Sequence, residues 1–267
     1  ALALLIAERN QLRTQLPQAS AQGPQALPLD QLHGLLEAAQ HWEQQLEEPA
    51  APALNDLEPT ITELAEDLTA ASAEQVLATL TELEQQQGPL PASGLGLRGK
   101  ASMLAGNSEA AVAAFKAACQ ADPGRVDLQV NQGAALLASG NTDAALAMLR
   151  QVYQQHYDHL EGQEKVALLR NLATAEARGG ELAVALHLRR QWLQIDPDSQ
   201  PSERWLQWAR QGLASTQPEA AQQAAMQLLH RLHEQRPGDR SVMELLAEAL
   251  ETAGRFREAS LLYRSLL

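Results

Sequence analysis

The sequence predicts an all-α chain, a solenoid of about four to five stacked helical hairpins preceded by a helical N-terminal segment. Three observations carry that expectation. Gly99 and Gly133, Gly106 and Gly140, and Ala111 and Ala145 are each 34 positions apart, matching the period of roughly 34 residues expected of a helix-turn-helix repeat. Aromatic residues make up only 3% of the chain, while Ala and Leu supply the bulk of its 45% hydrophobic content, which suits helices that approach closely through small side chains. Val and Thr are scattered and never alternate with polar residues over a strand's length, so a sheet has no pattern to stand on.

Taken in order, Leu2, Leu5, Ile6, Leu12 and Leu16 fall at helical spacing until Pro17 ends the run, which predicts one helix. Residues 17–28, rich in Gln, Ala, Gly and Pro, read as a linker. Pro28 then opens a helix through Glu48 whose Leu32, Leu35, Leu36, Ala39, Trp42 and Leu46 make one apolar stripe, and a breaker follows at 49–52. Helices over 58–70 and 72–87, with Ser72 as the cap between them and residues 88–91 closing the pair, form a degenerate hairpin over 58–91. Residues 1–57 are therefore expected to hold N-terminal helices and linkers, and 92–267 the repeat array.

Bulk charge and cysteine content bound the function. The chain carries a formal net charge of −13, which repels a nucleic-acid backbone and argues against nucleic acid as a partner. The single Cys119 excludes an internal disulfide framework and a Cys-rich zinc site. No apolar run approaches the roughly 20 residues that span a bilayer, so the chain is expected to be soluble as given, in cytoplasm or periplasm. Its start at Ala1 and its stop at Leu267 within a helical pattern suggest a fragment or processed form, with room for a membrane anchor outside it.

Residues 92–267 resemble the tetratricopeptide repeat family. In units 92–125, 126–159, 166–199, 202–238 and the truncated 240–267, the resemblance rests on recurring small residues, glycines and prolines. The first unit has Gly99, Gly106, Ala111, Phe115, Ala118 and Pro123, and the second Gly133, Gly140, Ala145 and Leu149. The third has Ala173, Gly180, Ala185 and Pro197 with Trp192 at a usual Ala position, and the last Ala247, Gly254, Ala259 and Tyr263. Each type has a physical reason: Gly106, Gly140, Gly180 and Gly254 stop a first helix in the left-handed conformation. Ala111, Ala145, Ala185 and Ala259 let the two helices of a pair cross closely. One hairpin cannot bury its own face, so stability comes from stacking neighbours.

The resemblance implies a right-handed superhelix with the first helix of each unit on the concave side, and a protein-binding role without enzymatic activity, cofactor or metal. By register it places Lys100, Asn131, Arg170, Asn171 and Arg178 on that inner face as a peptide-binding set. An amide donates and accepts at once and so suits a peptide backbone, while the cations favour an acidic segment or a free carboxylate. The carboxylate-clamp pattern is incomplete, because Gly96 stands where one Lys belongs, and Glu244, Glu248 and Glu251 make the groove bipolar. The plainer alternative is that the Asn pair bonds locally and the cations pair with neighbouring carboxylates. The partner is thus a protein or peptide; a different class of role is the helical accessory region of a larger enzyme or of a membrane-anchored assembly factor.

Other motifs are weaker. Gly94, Gly96, Gly99 and Lys100 imitate a phosphate-binding loop, but no strand precedes them and Ala101 stands where a magnesium-binding hydroxyl belongs. His156 with His159 and His230 with His233 are spaced like metal ligands, yet neither pair has a third ligand at a fixed offset. Cys119 reads as a small hydrophobe, and Trp192, Trp205 and Trp208 as packing between the third and fourth units.

Overall fold

The computed structural model describes residues 57–215 and 218–267, and the helices expected over 1–16 and 28–48 lie outside the described residues. Twelve α-helices and no strand are present among the described residues. They are α1 (Glu58–Glu66), α2 (Ala73–Gln87), α3 (Ala92–Leu104), α4 (Ser108–Ala121), α5 (Val126–Ala138) and α6 (Thr142–His156). A 3-10 turn, Tyr157–His159, leads to α7 (Gly162–Arg178), α8 (Leu182–Ile195), α9 (Ser202–Leu213), α10 (Pro218–Gln235), α11 (Arg240–Thr252) and α12 (Phe256–Ser265). This is an all-α helical repeat fold.

Among the described residues the hairpin corner is one device used four times. Gly106, Gly140, Gly180 and Gly254 have φ of 78°, 82°, 93° and 74°, a region open to glycine at no steric cost. At each, the next residue's N–H reaches back five positions: Asn107 to Ser102 O, Asn141 to Leu136 O, Glu181 to Glu176 O and Arg255 to Leu250 O, at 2.8–2.9 Å. That satisfies carbonyls which a helix end leaves open. In the first two corners the same residue also caps the next helix, Asn107 Oδ1 accepting from Ala110 N and Asn141 Oδ1 from Ala144 N. Ser72, expected to cap α2, instead donates to Asp67 O at 2.7 Å and accepts from Thr69 N at 2.8 Å. Its hydroxyl closes the preceding loop, so no side chain caps that helix start.

Stacking follows the small residues. A methyl placed on Gly99 would stand 2.7 Å from the Phe115 ring, and one on Gly133 2.5 Å from Leu149, so each first helix rests directly on the buried large side chain of its partner. The whole Gly94 to Lys100 stretch lies inside α3, with Gly94 against Ile61 and Leu90 and Gly96 against Leu128. These glycines serve helix contact, and no phosphate loop exists there.

From α7 onward the pattern changes. Its 17 residues begin at Gly162, ahead of the unit expected from 166, and Tyr157 before it stacks on Tyr153 at 4.5 Å with Lys165 over its ring at 4.2 Å. Helix α8 packs along α10 more extensively than on α9. Trp192, Trp205 and Trp208 fill the seam, with ring centroids 5.1–5.7 Å apart and Trp205 fully buried. Arg236, after α10, clasps the loop between α8 and α9 by donating to Pro197 O, Gln200 O and Ser202 Oγ at 2.6–2.9 Å.

Candidate binding face

The first helices α3, α5 and α7 lie in sequence, α3 against α5 and α5 against α7. Two polar ties set the register of the second contact: Asn171 Nδ2 donates to Val130 O at 3.4 Å and Arg178 Nη1 donates to Leu137 O. Both span 41 residues, so α5 and α7 run side by side in the same direction. A constant offset between parallel helices admits no other arrangement.

The five residues expected on the inner face divide accordingly. Asn171 is 8% exposed, and its amide is spent on the α5 main chain, as is part of the exposed Arg178 guanidinium. Lys100 on α3 and Arg170 on α7 are exposed, and Asn131 on α5 is half-buried. No hydrogen bond or ion pair joins the side chains of these three to another described residue. Lys100 lies near enough to Asp127 to favour its ionised form, after the larger effect of the Arg125 guanidinium, which donates to it at 2.7 and 2.8 Å. Val130 and Leu137, which share the inward register, are buried. Farther along, Glu244 pairs with Arg240 at 2.9 Å and Glu251 accepts from Tyr263 Oη at 3.2 Å.

The remaining candidates are quiet. No group of three metal-ligating side chains occurs among the described residues. His156 ends α6 and His159 sits in the 3-10 turn, while burial and then the Arg255 charge hold the His230 imidazole below its usual range. Cys119 is partly buried, and burial followed by the Asp127 charge pushes its thiol up, so little thiolate is available for chemistry. No helix among the described residues is long and apolar enough to cross a membrane.

One residue outside that set stands out. Phe115, Leu149 and Arg189 each occupy the eighth position of their helices α4, α6 and α8. All three are buried, at 1%, 0% and 6% exposure, but the third is a cation. The signal is present in the sequence as an Arg at a large-apolar repeat position, visible only once the residues inserted before the third unit are allowed for.

Comparison with known proteins agrees with this architecture. The tetratricopeptide repeat profile matches residues 69–126 and 130–200. No curated protein sequence matches the chain. Among solved structures, the MamA protein aligns at 15% identity over 66% of this chain and 90% of that one, with a TM-score of 0.46. The human IFIT1 dimer with m7Gppp-AAAA aligns at 14% identity over 89% of this chain and 56% of that one, with a TM-score of 0.47. Both likenesses are too distant to carry an inference about ligand or assembly. The repeat profile, together with hairpins cornered by glycine and stacked through small residues, identifies residues 69–126 and 130–200 as tetratricopeptide repeats.

Proposed function

We propose that the protein is a scaffold that holds a peptide or protein segment along the parallel first helices α3, α5 and α7, within an array of units 92–125, 126–159, 166–199, 202–238 and 240–267. Tetratricopeptide repeats serve protein–protein interaction as a family, and that much extends to this chain. The observation that carries the finer reading is the division of the polar residues: the side chains of Lys100, Asn131 and Arg170 have no hydrogen-bond or ion-pair partner among the described residues, whereas Asn171 and Arg178 join α5 to α7. An amide flanked by two cations suits the main chain and acidic side chains of an extended segment.

The test is affinity capture of a bound segment by the full chain, then its titration against wild type and the triple variant K100A/N131A/R170A, whose helicity is checked by circular dichroism. Loss of about tenfold or more in affinity, with binding weakened by raised salt, is the expected result. A folded triple variant that binds as tightly as wild type would remove the groove reading.

A further inference from the structure

Arg189 sits at the centre of the buried face of α8, in the slot that Phe115 and Leu149 fill with apolar side chains in the two preceding hairpins. Its guanidinium carbon lies 4.3 Å over the ring of Trp208, and that ring touches Trp192 and Trp205 in turn. No carboxylate pairs with Arg189 among the described residues, and its Nη1 is buried without a hydrogen-bond partner. Burial alone, with no neighbouring charge, lowers its pKa to about 10, so it remains a cation near neutral pH. A buried charge with neither counter-ion nor acceptor is among the costlier features a fold can carry.

The unpartnered nitrogens lie on two helices that pack together. Every buried side-chain nitrogen without a partner among the described residues belongs to α8 or α10: Arg189, Arg190, Trp192, Arg231 and His233. Arg189 and Trp192 are three residues apart on one helix face, so their Cβ atoms are about 5–6 Å apart, and both contact the Trp208 ring. The pair therefore offers a guanidinium and an indole N–H, each lacking an acceptor, beneath a ring that is itself only half-buried.

We propose that the seam around Arg189 is a binding site for a single carboxylate, accepting from Arg189 Nη1 and Trp192 Nε1, with Trp208 as the side chain that turns aside to admit it. A planar two-oxygen acceptor matches the guanidinium fork. One cation in an apolar surround is neutralised by a monoanion, whereas a phosphate dianion would leave a buried negative excess. The site lies on a second helix at the junction of the third and fourth units, apart from Lys100, Asn131 and Arg170. It stands or falls independently of the groove.

The full chain is melted and its tryptophan emission recorded with sodium acetate, with acetyl-trialanine bearing a free carboxylate, with the C-terminal amide of that peptide, and with phosphate, all at equal ionic strength. Wild type is expected to show a saturable rise in Tm of about 3 °C with acetate, together with a change in emission, and no response to the amide. Arg189→Met is expected to melt above wild type without any probe and to ignore acetate, and Arg189→Lys, which keeps the charge and loses the fork, to respond weakly. A response to the free-acid peptide as well assigns the site to chain termini and acidic side chains, while a response to acetate alone assigns it to small free carboxylates. No response from wild type, an unchanged response from Arg189→Met, or an equal response to phosphate overturns the proposal.

Discussion

The hairpins α3–α4 and α5–α6 and the hairpins α7–α8 and α9–α10 solve the same packing problem with opposite residues. In the first pair a glycine, Gly99 or Gly133, receives a buried apolar side chain, Phe115 or Leu149. In α8 the equivalent slot holds Arg189, and a turn later Trp192 occupies the place of Ala118, while in α10 the slot holds only Ala225. Helix α9 then touches α8 only lightly, and α10 takes its place as the main neighbour of α8 on the C-terminal side. The difference teaches that large side chains at a crossing point redirect which helices meet, because helix axes separate or approach according to the residues between them.

The strongest way to break the irregular region is Trp205→Ala. Trp205 is fully buried, donates Nε1–H to Gln200 O at 3.2 Å, and lies 5.1 Å from both other indoles. Truncating such a side chain costs about 3–5 kcal/mol, which for a chain of this size lowers Tm by about 10 °C. Because repeats are coupled chiefly to their neighbours, the loss is expected to split the thermal transition seen by circular dichroism, with α9–α12 melting first. A single transition shifted as a whole would mean that the Trp seam is no weaker a joint than the glycine contacts.

Gly133→Ala applies the converse stress to the regular region. The added methyl would stand 2.5 Å from Leu149 Cδ2 and 2.6 Å from its Cγ, and neither atom has free space to enter because Leu149 is fully buried. Overpacking of this kind costs about 1–3 kcal/mol, more than the gain in helix propensity of about 1 kcal/mol that alanine brings. A destabilised variant by urea titration, with an unchanged dependence on denaturant, is expected. A stabilised one would show that α5 and α6 separate freely, and that glycine there is a matter of helix propensity alone.

How much of this was readable beforehand depends on whether a feature is local. The hairpin corners were legible because a glycine with positive φ solves a problem confined to six residues, and Gly106, Gly140, Gly180 and Gly254 all do so. The roles of Asn171 and Arg178 were not, since both reach carbonyls of α5 across an offset of 41 residues. A 34-residue register cannot foresee that offset, which depends on the 3-10 turn and the early start of α7. The amide position shared by Asn131 and Asn171 is the same in sequence terms, yet burial leaves one open and closes the other. Arg189 was obscured in a different way: the sequence marks it only as an Arg at a position that is apolar in the two preceding units, and its burial without a counter-ion is visible in the structure alone.

The mildest test concerns charge at the start of α5, in the regular region. Arg125 donates twice to Asp127, and that hydrogen bonding, ahead of the desolvation that opposes it, holds the Asp127 carboxyl below the usual carboxylate range. A carboxyl whose folded pKa is depressed contributes stability above its unfolded pKa and loses it as pH falls through the folded one. The contribution is therefore complete above about pH 5 and fades below about pH 4. Both side chains are partly solvated, at 45% and 30% exposure, so the pair is worth no more than about 1 kcal/mol. Asp127→Asn is expected to lower stability by that amount at pH 7 in low salt, and the difference is expected to shrink as the pH falls and Asp127 takes up its proton. A difference that does not shrink would assign the loss to the place of Asp127 in the first turn of α5, where a negative charge faces the open N–H groups of the helix, and not to its pairing with Arg125.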